Sequence, residues 1–190
     1  MKDHYLKQEL YSLIQSDQTI FDFLQKASLD GLWYWDLDNP EEEWMSPEFW
    51  LTLGDDPEEM PHKASAWQDL IHPDDLEKAK QNLAAHLQDT NHPYDQLVRY
   101  RHKKGYTVWV RCRGLVVRDE ANQSTRMLGA HNNVTKLKFA EDRLESENRQ
   151  LNAVLANSGL YILNTDIEGK FTYFNDKFKK DFGWLPFVAI

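Results

Sequence analysis

The residues best suited to chemistry lie in the segment HPDD, where an imidazole and two carboxylates stand within four positions. His72, Asp74 and Asp75 at this spacing could form a metal site or an acid–base pair. The segment also suits the start of a helix, because Pro73 fits the first helical position and the carboxylates complement the helix dipole. We favour the helix start, so the sequence predicts no catalytic residue and no metal ligand.

Other catalytic signatures are missing from the sequence. It has no Gly-x-Ser-x-Gly nucleophile elbow, no phosphate-binding glycine loop and no His-Glu-x-x-His zinc motif. The seven histidines show no ligand spacing. The single cysteine, Cys112, excludes an internal disulfide and fits a reducing compartment. We therefore expect no catalysis in this chain.

Charge and hydropathy narrow the classes of partner. The 31 acidic and 22 basic residues give a net charge of −9, which argues against nucleic acid. No apolar run approaches the roughly 20 residues that span a bilayer, and the N-terminus lacks the apolar core of a signal peptide. We expect a cytoplasmic chain without direct membrane contact.

Hydrophobic periodicity predicts the elements that must position these residues. Apolar residues at three- and four-residue steps predict an amphipathic helix over 1–27. GLWYWDL and EWM then read as short strands, whereas SPEF and HPDD read as helix starts. Period-two alternation predicts three long strands in QLVRYRHKKGYTVWVRCRGLVV and STRMLGAHNNV. The prediction is an α+β fold, a five-stranded antiparallel sheet with flanking helices.

A second long helix follows the last strand, over residues 136–155. Its heptad positions are apolar except Glu147, as in a short coiled coil. We predict a homodimer formed through the helices, with a seam containing Leu137, Leu144, Leu151 and Val154. The alternative is a single amphipathic helix that packs on its own domain.

The tail, residues 156–190, repeats the opening of the preceding module. Ser46 and Asn175 correspond, and both are predicted helix caps. The aligned pairs are Gly31 with Gly159, Leu32 with Leu160, Trp33 with Tyr161, Ser46 with Asn175, Phe49 with Phe178 and Gly54 with Gly183. We expect a second copy that the remaining residues are too few to complete, as in a piece of a longer multidomain protein.

The stretch from about Leu29 to Thr135 resembles a PAS domain of the subclass with a Trp-rich first strand. The resemblance is carried by GLWYWDL, SPEFWLTLG, HPDD, YRHKKGYTVWV and LGAHNNVTKLKFAEDRLESE, the last being similar to the family's Gly…Asp-Ile-Thr ending (the PAC motif). NTDIEGKFTYFNDKFKKDFGW is similar to the opening of a second PAS domain. The implied organisation is an amphipathic helix over 1–27, a PAS domain over 28–135, a signalling helix over 136–155 and a truncated second PAS domain over 156–190.

The resemblance implies a sensory and signal-relay module of a bacterial signal-transduction protein. A histidine kinase of a two-component system is the favoured parent, and a diguanylate cyclase or phosphodiesterase is the alternative. A conformational change would pass through Asn133, Val134 and Thr135 into the exit helix and an output domain. Asn133 replaces the family's aspartate, so the tie between the last strand and the helix should be weaker. A ligand-free dimerisation or scaffold module is a further alternative.

The resemblance also implies a pocket in the first domain. Flavin photochemistry in the family uses a cysteine in a helix, whereas Cys112 lies in a predicted strand. Haem would need an axial ligand, for which His86 is the only tempting position. We expect no cofactor. The proposed lining is Trp33, Trp35, Leu83, Tyr100 and Val110, and the favoured interpretation is a packed core, with an unidentified small apolar or aromatic ligand as the alternative.

Overall fold

The structure, a computed structural model, describes residues 4–89, 91–157 and 159–183. It divides into two compact units, Met1–Lys136 and Leu137–Ile190. Within the described residues, no helix is long and apolar enough to cross a membrane.

The first unit is α+β, as the sequence predicts. Five strands form one antiparallel sheet in the order β2-β1-β5-β4-β3, and helices flank it. The elements are α1 (Tyr5–Ser16), α2 (Gln18–Ser28), β1 (Gly31–Asp36), β2 (Glu43–Met45), α3 (Pro47–Leu53), a 3-10 turn (Pro57–Glu59), α4 (Ser65–Gln68), α5 (Pro73–Gln88), β3 (Tyr94–Arg101), β4 (Thr107–Arg118), β5 (Ser124–Asn133) and the start of α6 (Thr135–Asn157).

The N-terminal helix is interrupted, in contrast to the single helix that the periodicity predicts. The break falls at Asp17, whose extended backbone separates α1 from α2. The Asp17 carboxylate accepts a hydrogen bond from the Thr19 amide at 2.9 Å and so caps α2. A residue that only interrupts the apolar stripe in the sequence therefore starts a new helix in the structure.

Strand alternation places the core on one face of the sheet. In β4 the buried side chains are Val108, Val110, Cys112 and Val116, Gly114 lies on the same face, and the alternate residues face the other way. Phe49, Trp50 and Leu53 of α3 complete the core together with Met127 of β5. These apolar side chains hold the sheet against the helices on one side only.

One row of paired residues crosses four strands at the centre of the sheet. Trp33 of β1 pairs with Gly129, Gly129 with Gly114, and Gly114 with Tyr94 of β3. The Trp33 indole lies over both glycines, because a Cβ at Gly129 would fall 2.0 Å from its ring and one at Gly114 would fall 2.9 Å from it. The two glycines therefore create the space that lets Trp33 reach Tyr94, 6.1 Å between ring centroids.

The second unit contains most of α6, then β6 (Leu163–Thr165), β7 (Phe171–Phe174) and α7 (Asp176–Phe182). Its two strands form an antiparallel hairpin in which Leu163 pairs with Phe174. In the first unit Trp33 pairs with Met45, one position before Ser46, just as Phe174 precedes Asn175.

This register corrects the predicted repeat in the first strand. The counterpart of Trp33 is Leu163, two residues later than Tyr161. The glycines misled the alignment: Gly31 lies inside β1 against Phe49, whereas Gly159 precedes its strand with a φ of +71°. The pairs from Ser46 with Asn175 onward keep the predicted offset.

Candidate functional site

A cavity of about 120 Å³ lies between the core face of the sheet and helices α4 and α5. Four of the predicted lining residues, Trp33, Trp35, Leu83 and Tyr100, stand in its wall. Val110 is buried in the adjoining core and does not line the cavity. The same wall contains residues that the sequence did not single out, and these carry the polar groups.

Glu43 is the carboxylate of the cavity. Its side chain points to the core because β2 alternates, so that Glu43 and Met45 are buried and Trp44 is exposed. The carboxylate Oε2 accepts a hydrogen bond of 2.7 Å from the Trp67 indole N–H. Burial raises the pKa of Glu43 to about 7, and the Trp67 hydrogen bond opposes that rise. Glu43 is not among the predicted site residues, although the alternation of EWM in the predicted strand would place it on the inward face.

The other titratable groups buried in the wall are uncharged at neutral pH. Burial lowers the pKa of His131 to about 3, and it raises the pKa values of Tyr100 and Cys112. The His131 ring stacks on Phe49 with 4.6 Å between centroids, and its Nδ1 has no hydrogen-bond partner within the described residues. The cavity thus combines aromatic walls and neutral polar groups with one carboxylate.

The HPDD segment starts helix α5. His72 caps it by accepting a hydrogen bond from the Asp74 amide on Nδ1, at 3.3 Å. Asp75 is buried and binds the Arg99 guanidinium through both oxygens, at 2.7 and 2.8 Å, and also accepts from the Arg99 amide at 2.9 Å. The Arg99 guanidinium holds the pKa of Asp75 below its usual value. Asp75 therefore fastens α5 to β3, a contact that no sequence signal indicated.

His86, the position considered for haem, is buried at the far end of α5 and does not line the cavity. Its Nδ1 donates to the His92 carbonyl at 2.5 Å. Within the described residues, no group of three His, Cys, Asp or Glu side chains is arranged to hold a metal ion.

The exit of the domain is fixed by hydrogen bonds from three predicted relay residues. The Asn133 amide donates to the Asp30 carboxylate at 2.7 Å, and the Val134 amide donates to the Trp109 carbonyl at 2.8 Å. The Thr135 hydroxyl accepts from the Trp109 amide at 2.9 Å. Asn133 also accepts from the Thr135 amide at 3.0 Å, so its neutral side chain still supports the start of α6.

The four residues of the predicted dimer seam, Leu137, Leu144, Leu151 and Val154, are all exposed on α6. Their exposure leaves the stripe available to another chain, and the seam stays a prediction.

Comparison with known proteins assigns the first domain to a family. Residues 42–131 match the family described as the PAS fold. A solved structure of a sensory box histidine kinase/response regulator from Burkholderia thailandensis is 29% identical, with a TM-score of 0.57, over 68% of this chain and 96% of that one. This region of the chain is a PAS domain.

Two further relatives agree with the PAS assignment. The PAS domain of a Colwellia psychrerythraea protein has the same fold, with 17% identity, a TM-score of 0.50, and coverage of 65% of this chain and 98% of that one. A methyl sulfide methyltransferase-associated sensor from Methanosarcina acetivorans is 28% identical over 108 residues, which are 57% of this chain. The match spans 11% of that sensor's length. The PAS domain here is a sensor module of the kind found in signalling proteins.

Proposed function

We propose that the chain is the sensory and relay part of a bacterial histidine kinase, and that its signal leaves the PAS domain through α6. The supporting observation is that β5 carries His131 in the cavity wall and, two residues later, Asn133 at the exit. A rearrangement in the cavity therefore acts on the strand that leads directly into α6. The likeness to the Burkholderia thailandensis kinase/response regulator supports this parent.

Two alternatives follow from the sequence. A diguanylate cyclase or phosphodiesterase could carry the same module, since a PAS fold does not specify its output. A ligand-free scaffold would have a filled core, and the cavity of about 120 Å³ favours a sensor over that interpretation.

The relay needs a second copy of the chain if the exit helices are to shift against each other. The exposed stripe of Leu137, Leu144, Leu151 and Val154 supports a parallel dimer, which would bury side chains that are each more than half exposed. Leu144→Glu should then convert the dimer to a monomer in native mass spectrometry. Glu145→Gln, at an exposed position next to it, is the control that should remain dimeric.

The relay itself can be tested by joining residues 1–157 through α6 to the dimerisation and catalytic domains of a histidine kinase. His131→Phe changes the cavity wall, and Thr135→Val removes the hydroxyl that binds the Trp109 amide. Both should change the autophosphorylation rate several-fold, because one alters the input and the other the exit. Glu120→Gln, in the exposed β4–β5 turn, should leave the rate unchanged. Equal rates for all four proteins would contradict the relay.

A further inference from the structure

The walls of the cavity are rich in aromatic rings. Trp33, Trp35, Trp67, Tyr94 and Tyr100 all line it. Aromatic rings attract cations through their quadrupole, tryptophan most strongly, and the attraction grows when water is excluded. A wall of this composition favours a ligand that carries a positive charge and apolar groups.

The cavity also contains a buried carboxylate without a cationic partner. Glu43 is 5% exposed, and its Oε2 receives one hydrogen bond, from Trp67. Across residues 4–89, 91–157 and 159–183, the structure shows no ion pair to Glu43 and no hydrogen bond to its Oε1. Lys80 lines the cavity as well, but its side chain is exposed and makes no ion pair with Glu43. A buried carboxylate is costly unless a cation pairs with it. A bound cation would therefore stabilise the Glu43 carboxylate, for which the described residues supply no cationic partner.

The other polar groups of the wall do not compete for this role. Burial disfavours the charged forms of His131, Tyr94, Tyr100 and Cys112, as the directions of their pKa shifts indicate. An anionic ligand would lie beside the Glu43 carboxylate without a buried cation to balance it. The charge of the site therefore selects against acids and in favour of bases.

The volume limits the size of the ligand. A dry cavity of about 150 Å³ accepts benzene, so the 120 Å³ here suits about four or five non-hydrogen atoms. We propose that the cavity binds a small alkylammonium ion, whose N–H donates to Glu43 Oε1 and whose methyl groups contact the tryptophan rings. This inference deepens the proposed sensory function, because it assigns a ligand class to the same cavity.

Calorimetric titration of the full chain with trimethylammonium chloride tests the proposal, with tert-butanol as a neutral probe of similar size. Trimethylammonium should bind at least about tenfold more tightly than tert-butanol. Glu43→Gln should weaken trimethylammonium binding by at least about tenfold, and Glu42→Gln, the exposed neighbour, should not change it. Equal affinities for the two probes, unchanged binding to Glu43→Gln, or no binding of trimethylammonium to the wild-type chain would each overturn the proposal.

A measurement on the wild-type chain keeps the test independent of the folding of the variant. Near pH 7 part of the Glu43 population is protonated, and a bound cation displaces that proton. Titrations in phosphate and Tris buffers should therefore give different apparent enthalpies, and affinity should rise between about pH 6 and 8. Identical enthalpies in both buffers would contradict the contact with Glu43.

The two proposals can fail separately. If trimethylammonium does not bind but His131→Phe alters kinase output in the fusion protein, the ligand class is wrong and the relay stands. If trimethylammonium binds and none of the cavity variants alters the output, the site exists and the relay is wrong.

Discussion

Residues 31–54 and 161–183 build the same strand, turn, strand and helix in two different surroundings. In the first segment the Ser46 amide donates to the Leu32 carbonyl at 2.8 Å, and the Ser46 hydroxyl accepts from the Leu32 amide at 3.1 Å. In the second, the Asn175 amide donates to the Ile162 carbonyl at 3.1 Å, and Asn175 Oδ1 accepts from the Ile162 amide at 3.2 Å. The two segments therefore share this pair of hydrogen bonds between the helix start and the first strand.

The two segments differ in what covers them. In the first, Met45 and Phe49 are buried beneath the sheet that β3, β4 and β5 complete. In the second, their counterparts Phe174 and Phe178 are only half-buried, and among the described residues the hairpin of β6 and β7 pairs with no further strand. Local hydrogen bonds therefore shape the opening of a module, but a cavity requires the three long strands.

The two segments should differ most in stability when a side chain is added to one of the two glycines beneath Trp33. Gly129→Ala would place a Cβ 2.0 Å from the Trp33 ring and 2.5 Å from the Arg113 carbonyl oxygen. We expect a loss of about 3 kcal/mol or more in the free energy of unfolding, measured by urea denaturation. The described part of the second unit shows no row of paired residues like the one that contains these glycines, and it should keep its amide exchange rates. Gly105→Ala is the control, because its Cβ would meet no atom within 4 Å and its φ of +89° costs only about 1 kcal/mol. Equal losses for the two variants would refute the packing account.

The buried carboxylate should make the first segment more sensitive to pH than the second near neutrality. The position that corresponds to Glu43 is Thr172, which is exposed. Because the folded-state pKa of Glu43 is raised from 4.5 to about 7, its contribution to stability falls as pH rises through that interval. Glu43→Gln should remove this fall. The difference in free energy of unfolding between the variant and the wild type should therefore change in favour of the variant by about 3 kcal/mol from pH 4 to pH 8. Urea denaturation from pH 4 to 8 measures it, and parallel curves for the two proteins would count against the shift.

The smallest effect on stability is expected from the hydrogen bonds that the two segments share. Ser46→Ala leaves the Leu32 amide without its side-chain acceptor and should cost about 1 kcal/mol in the free energy of unfolding. Asn175→Ala removes three hydrogen bonds, to Ile162, Phe178 and Leu160, but in a segment with little buried surface. Its effect should be faster local amide exchange with little change in the urea midpoint. A larger midpoint shift for Asn175→Ala would show that the second segment supports the first.

Patterns within a few residues predicted most of the fold. Alternation identified the long strands, and proline with acidic residues marked the starts of α3 and α5. Ser46 was predicted to cap α3, but its hydroxyl binds Leu32 across to β1 instead. Ser46 and Leu32 are fourteen residues apart in the sequence. Which group the Ser46 hydroxyl binds depends on strand pairing, and a local sequence pattern does not specify strand pairing.

The site was harder to predict than the fold, for the same reason. Four of the five proposed lining residues stand in the cavity wall, because each is an apolar or aromatic residue on an inward face. Glu43 and the glycine pair were missed, since their roles depend on register across separate strands. The sequence favours a helix-start role for Asp75 and does not indicate its ion pair, because the partner Arg99 lies 24 residues away.

The ends of the PAS domain meet at one corner. The Asn132 side chain donates to the Ser28 carbonyl, and the Asn133 amide donates to Asp30, so the last strand is fastened to the point where the first begins. A segment whose two ends coincide can be copied in tandem or inserted between helices without rerouting the rest of the chain. Gene duplication can therefore lengthen such a protein by whole domains, because each added domain begins and ends at the same corner.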